Sequence, residues 1–178
     1  MADWSVRESV AEYETGWYTG GYDLVEQPDG STKKYFWAEL PPAVVIVPIL
    51  DDEVVFVEQH RPAVGSTFLE LPAGIVEDGE SYETAGSREL EEETGYSPSA
   101  VTMLQEFWVA TGVLRHRRAI VVAEDLTPGE PDRDGNEFLT ITTRPVDAAI
   151  EAAREQPAND ATIEGLLLAD ADGYLDLD

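Results

Sequence analysis

Residues 71–96 read LPAGIVEDGESYETAGSRELEEETGY, a run unusually rich in glutamate. Glu89, Glu91, Glu92 and Glu93 fill four of five neighbouring positions. The pattern predicts a helix over 80–94, with Ser81 as an N-cap near its start and Gly95 suited to the C′ position. Residues three and four apart share a helix face, so Glu89, Glu92 and Glu93 stand together. Like charges at that spacing destabilise an isolated helix by roughly 0.2–0.5 kcal/mol per pair. Salt, a basic neighbour or a cation must offset this. Two readings follow from the glutamates alone. One is the solvated face of an acidic protein. The other is an all-oxygen site, which without cysteine or histidine suits Mg²⁺ or Mn²⁺ better than Zn²⁺.

Composition keeps the first reading open. The chain has 178 residues, 43% of them hydrophobic, and a net charge of -26. That length suits one domain with a small N-terminal appendage. Only 11 residues are basic, and only Lys33 and Lys34 are lysines. Such a charge opposes nucleic acid or an anionic membrane as a partner. The balance resembles that of proteins adapted to high intracellular salt, where screening relieves self-repulsion. Cysteine is absent, which excludes disulfides and thiolate chemistry. The acidic start MADWSVRESVAEYE has no apolar core of a signal peptide. The run AVVIVPIL, from Ala43 to Leu50, is too short to span a bilayer. A cytoplasmic protein is expected.

Working outward, residues 17–40 predict a hairpin turning at Asp29-Gly30, where glycine accepts positive φ. Pro41 and Pro42 interrupt pairing after it. The β-branched runs Val44–Ile49 and Val54–Gln59 predict strands buried on both faces. Further strands are expected at Met103–Ala110, Ala119–Ala123 and Phe138–Thr143. Helices are expected from Pro145 to Glu155 and from Asp160 to Leu168, followed by a frayed acidic tail. A mixed sheet with helices on its faces follows, of α/β or α+β class.

The residues around the glutamates break the tie. They match the pattern Gly-x5-Glu-x7-Arg-Glu-U-x-Glu-Glu-x-Gly-U, with U apolar, at Gly74, Glu80, Arg88, Glu89, Leu90, Glu92, Glu93, Gly95 and Tyr96. A chance match is on the order of 10⁻⁸ per window. The stretch resembles the signature of the Nudix hydrolases, with Tyr96 at a position more often aliphatic. The resemblance implies an α/β fold, the Nudix-type α/β/α sandwich with a mixed central sheet. It also implies hydrolysis of a nucleoside diphosphate linked to another group X. By position, Glu89 and Glu93 would be metal ligands, with Glu92 as a third ligand or the holder of a water. The Ala73 carbonyl would complete the site, Glu80 would lie in its outer shell, and Arg88 would orient a glutamate. Glu92 and Arg88, with Glu137, are the candidate catalytic residues. Mg²⁺ is the implied cofactor, with Mn²⁺ as a substitute.

The preceding segment VEQHRPAVGSTFLELPAG resembles the ADP-ribose pyrophosphatase branch. That resemblance implies a homodimer in which the N-terminal strands take part, and a division into a dimerisation segment, 1–40, and a catalytic domain, 41–178. Arg61 would contact a phosphate or the terminal ribose, Glu70 a nearby polar group, and Trp17 a base; Gly112 would keep a turn beside the substrate. Glu137, with Asp134 in reserve, would be a late acidic residue. One departure stands out. Thr111 occupies the place of an expected proline, and His116 falls where an acid is expected, among Arg115, Arg117 and Arg118. Those arginines point either to a more anionic X or to pairing with the acidic surface. ADP-ribose is the expected substrate. Another nucleotide sugar, a dinucleotide or a nucleoside triphosphate is the alternative, and a nucleotide-sensing binding module is the alternative of another class.

Overall fold

The computed structural model describes residues 3–132, 135 and 138–177. The chain begins with β1 (Ser5–Glu14), β2 (Thr19–Glu26), β3 (Thr32–Glu39), β4 (Ala43–Leu50), β5 (Glu53–Arg61), β6 (Ser66–Glu70) and β7 (Ala73–Ile75). The helix α1 (Tyr82–Thr94) follows, then β8 (Tyr96–Ser97), β9 (Ala100–Trp108), β10 (Leu114–Arg115), β11 (Arg117–Glu124), β12 (Thr127–Pro128) and β13 (Leu139–Pro145). Two helices close the chain, α2 (Val146–Arg154) and α3 (Asp160–Ala171). The residues divide into two compact units, Met1–Pro42 with Phe107–Arg118, and Ala43–Glu106 with Ala119–Asp178.

In the first unit the strands run β1-β2-β3-β10. The expected hairpin is β2–β3, closed by Gln27 N–H to the Ser31 carbonyl at 2.8 Å, with Gly30 at φ 81°. Strand β1 goes beyond the elements expected from the sequence. Its stretch SVRESVAEYE is charged and almost wholly exposed, so no apolar alternation marks it. Gly21 makes its pairing possible, because a Cβ there would stand 2.0 Å from the Val10 carbonyl oxygen. Strand β10 joins β3 in parallel, Leu114 against Ala38.

In the second unit the main sheet runs β13-β5-β4-β11-β9, with β6 on β5 and β7 on β4. The alternation along β4 assigns its two faces. A Cβ on Gly86 of α1 would meet Val121, Ile46 and Val44 side chains, so α1 lies on that face. A Cβ on Gly165 of α3 would meet Leu71, Val47 and Ile120, so α3 lies on the other. Helices on both faces of a mixed sheet make the expected α/β/α sandwich. Val44, Ile46, Ala85, Leu90, Val121 and Ala123 form the core under α1. Ser81 caps α1, its hydroxyl accepting from Thr84 N–H, and Gly95 ends it at φ 77°. The expected frayed tail is a correction. Helix α3 continues to Ala171, Tyr174 N–H donates to the Ala169 carbonyl at 2.8 Å, and Leu175 is buried. Alternating apolar residues in an acidic tail carry enough burial to fold it back. Among the described residues no helix is long and apolar enough to cross a membrane.

Candidate active site

The segment from Glu70 to Ile75 is fixed before α1 begins. Ile46 N–H donates to the Pro72 carbonyl at 2.9 Å, and Val44 pairs with Gly74 across β4 and β7. This backbone passes under the glutamate face of α1. A Cβ on Gly74 would come 1.8 Å from the Glu89 carboxyl carbon, so only glycine lets the carboxylate sit there. The Ala73 N–H donates to Glu93 Oε2 at 3.3 Å. Glu89 and Glu93 are buried, while the Glu92 side chain is 42% exposed.

Arg88 is the basic neighbour that the glutamates require. Its Nε donates to Glu80 Oε1 at 3.1 Å, and Nη2 to Glu80 Oε2 at 3.0 Å and the Ile75 carbonyl at 2.9 Å. Its Nη1 donates to Glu89 Oε1 at 2.8 Å and Glu92 Oε2 at 3.1 Å. One planar guanidinium therefore ties three glutamates and the loop before α1 together, which a lysine ammonium has too few fixed donors to do. Hydrogen bonds to Glu80 first, and then to Glu89, hold Arg88 protonated well above its ordinary range despite partial burial. The Arg88 hydrogen bond in turn holds Glu80 below the usual carboxylate value, helped by the Glu77 N–H.

The donors are hard carboxylate and carbonyl oxygens, which fit Mg²⁺ or Mn²⁺ in kind. The glycine-made space at Gly74 fits close approach of backbone to the carboxylate cluster. Among the described residues no group of three or more His, Asp or Glu side chains is arranged to hold a metal ion.

Arg61, at the end of β5, lies beside this segment. Its Nε and Nη2 donate to Glu70 Oε2 at 2.9 and 2.5 Å. Glu70 is only 3% exposed, and its other oxygen accepts from Asn159 Nδ2 at 2.7 Å. Glu70 is therefore spent on protein partners, while the Arg61 side chain stays 43% exposed. Asn159 escaped sequence reasoning. Asn before a helical run is a legible cap signal, but a partner 89 residues away leaves no local mark. A cavity of about 520 Å³ at the far end of β4 is lined by Asp51, Asp52, Asp147 and Asp176; that lining repels a pyrophosphate.

The remaining candidates lie in the first unit or beyond description. Trp17 is 74% exposed in the β1–β2 turn. Gly112 sits in an open turn, where a Cβ would meet nothing within 4 Å. Glu137 and Asp134 lie outside the described residues. Arg115 donates to Asp23 Oδ2 at 2.5 Å and stacks on Trp37 at 4.0 Å. Burial raises the Asp23 pKa, but hydrogen bonds from Ser9, Arg115 and Trp37 outweigh it and hold the group below its ordinary value. Arg117 stands 5.7 Å from the Trp108 ring. Burial first, and then the Arg118 charge, push the His116 imidazole toward its neutral form.

The NUDIX domain family matches residues 39–166. An ADP-ribose pyrophosphatase of Bacillus subtilis (strain 168) is 31% identical over 140 residues, 77% of this chain and 76% of the relative. A methanol dehydrogenase activator of Bacillus methanolicus is 32% identical over 142 residues, 78% of this chain and 77% of the relative. The crystal structure of an ADP compounds hydrolase superposes with a TM-score of 0.85 at 26% identity, covering 96% of both chains.

Proposed function

The chain belongs to the Nudix domain family and is a Nudix pyrophosphohydrolase; from that premise we propose that it hydrolyses ADP-ribose to AMP and ribose 5-phosphate with Mg²⁺. The observation that carries the proposal is the intact Arg88 cluster set against Gly74, with Arg61 presented beside it. The similarity to an ADP-ribose pyrophosphatase and an ADP compounds hydrolase supports the substrate class.

In the reaction, water adds to one phosphorus and the bridging P–O bond breaks. The leaving oxygen takes up a proton, and the two monophosphates separate. Mg²⁺, or Mn²⁺ in its place, held by the Ala73 carbonyl, Glu89, Glu93 and Glu92, would neutralise the pyrophosphate charge and activate water. Arg88 keeps Glu89 and Glu92 in one orientation and Glu80 beside them. Glu92, the exposed member, and Glu137 are the carboxylates proposed to accept the water proton. Arg61, its Nε and Nη2 held by Glu70, offers its exposed remainder to a phosphate or the terminal ribose. Trp17 is the proposed base-stacking residue.

We further assign a cytoplasmic homodimer, built partly from residues before Pro41. Trp4, Tyr13, Trp17 and Phe36 are exposed in that unit, more aromatic surface than a small sheet on its own leaves in water. The net charge of -26 supports adaptation to high salt. Hydrolysis of another ADP compound is the second reading, favoured by the structural neighbour. A panel of nucleotide sugars, dinucleotides and triphosphates, assayed with Mg²⁺ in molar KCl, tests the reading. ADP-ribose should give the highest kcat/KM. A triphosphate preference, or binding by calorimetry with no turnover of any compound, would defeat it.

A further inference from the structure

A carboxylate as buried as Glu70 needs a partner for each oxygen. Oε2 takes Arg61 and Oε1 takes the Asn159 amide. Asn159 is itself held at both ends. Its Oδ1 accepts from Thr162 N–H at 3.3 Å, which caps α3. The amide orientation follows, since only the NH₂ end can face a carboxylate.

The same helical turn grips the next residue. The buried Thr162 hydroxyl accepts from Leu71 N–H at 3.1 Å. One turn later, a Cβ on Gly165 would come 2.7 Å from Leu71 Cδ1. The start of α3 therefore lies directly against Glu70 and Leu71. Through Pro72, held by Ile46, the contact runs on to Ala73 and Gly74 under the glutamates.

We propose that Asn159 is a positioning residue of the reaction: from the cap of α3 it fixes the Glu70 carboxylate, and through Glu70 it aims the Arg61 guanidinium at the substrate. The inference rests on the reading that Arg61 binds an ADP compound. A cap alone needs an acceptor oxygen, and serine supplies one as well as asparagine does. The Glu70 bond needs the amide donor, which serine lacks and cannot replace at that reach. Asn159→Ser thus separates the two roles.

Two readouts decide between them: steady-state kinetics on ADP-ribose with Mg²⁺, and the side-chain Nε–H resonance of Arg61 in nitrogen-15 NMR, assigned by its loss in Arg61→Lys. In Asn159→Ser the Arg61 resonance should shift and broaden while that of Arg88 stays in place. KM should rise roughly 10- to 100-fold, by analogy with outer-shell partners of site residues, with kcat close to wild type and the thermal midpoint lowered, because one oxygen of the buried Glu70 carboxylate loses its donor. An unmoved Arg61 resonance overturns the proposal, as does a moved resonance with unchanged KM. Asn159→Thr, which keeps a cap oxygen and likewise lacks the amide donor, carries the same readouts if the serine variant folds poorly. If the wild type does not cleave ADP-ribose, the functional reading fails, and the Arg61 resonance still reports whether Asn159 sets its position.

Discussion

Arg88 and Arg115 are both arginines surrounded by acids in a very acidic chain, and they do opposite things. Arg88 has partners at positions 75, 80, 89 and 92, all within the short run from β7 through the loop to α1. It gathers carboxylates that would otherwise repel and aligns them beside a glycine. Arg115 reaches Asp23, 92 residues away in sequence, and lies on the Trp37 ring. There one guanidinium nitrogen ties β10 to β2, and the guanidinium plane rests on a ring of β3. A charge cluster therefore acquires its meaning from its partners. The partners of Arg88 are spelled in the motif, and those of Arg115 exist only in the folded first unit.

If the α1 cluster is the reactive one, losing a single carboxylate there should have the largest effect. Glu93→Gln should lower kcat by roughly 10³-fold or more, because it would weaken the proposed site for the ion that stabilises transition-state charge. Its fold should persist, since like-charge repulsion is relieved at the same time. Steady-state rates at saturating Mg²⁺ check this, and near-normal turnover would remove Glu93 from the machinery. Gly74→Ala comes next. Its Cβ would overlap the Glu89 carboxylate at 1.8 Å, so the carboxylate or β7 must move. A loss of roughly 10²-fold in kcat is expected from such misplacement. Wild-type activity with wild-type stability would contradict the close packing.

The pairing of Arg88 with Glu80 also has a pH signature. Glu80 titrates below its ordinary value of 4.5 when folded, chiefly through the Arg88 hydrogen bond. A depressed carboxylate contributes stability above its unfolded pKa and loses it as pH falls through the folded value. The wild type should thus exceed Glu80→Gln in denaturant midpoint at pH 7. The gap should close as pH falls below about 4. A gap independent of pH would mean that packing, not charge, holds Glu80. Arg115→Ala should show the smallest catalytic effect. It should cost roughly 1–3 kcal/mol of stability, through a broken partly buried pair and a lost ring contact, while kcat/KM for ADP-ribose changes little. A steep rise in KM would instead make Arg115 a substrate residue.

Local order explains what the sequence discloses. The strands at Val44 and Val54 announce themselves because both faces are buried, and α1 because its cap, its end and its Arg–Glu spacing lie within 15 residues. The boundaries of β9 and β13 shift by a few residues, since strand ends carry no cap. Strand β1 is hidden by its exposure, and the folded tail by its aspartates. The Glu70 partners are hidden for another reason: Asn159 marks itself as a cap, but nothing in NDAT points to a carboxylate 89 residues earlier. Glu137 could be proposed from sequence and lies outside the described residues.

The most direct measurement is product chromatography of ADP-ribose incubated with the protein in molar KCl as Mg²⁺ is titrated in. AMP and ribose 5-phosphate should appear in equal amounts, rising with Mg²⁺ and abolished by a chelator, and Glu93→Gln should yield almost none. ADP-ribose left intact at every Mg²⁺ concentration would contradict the account.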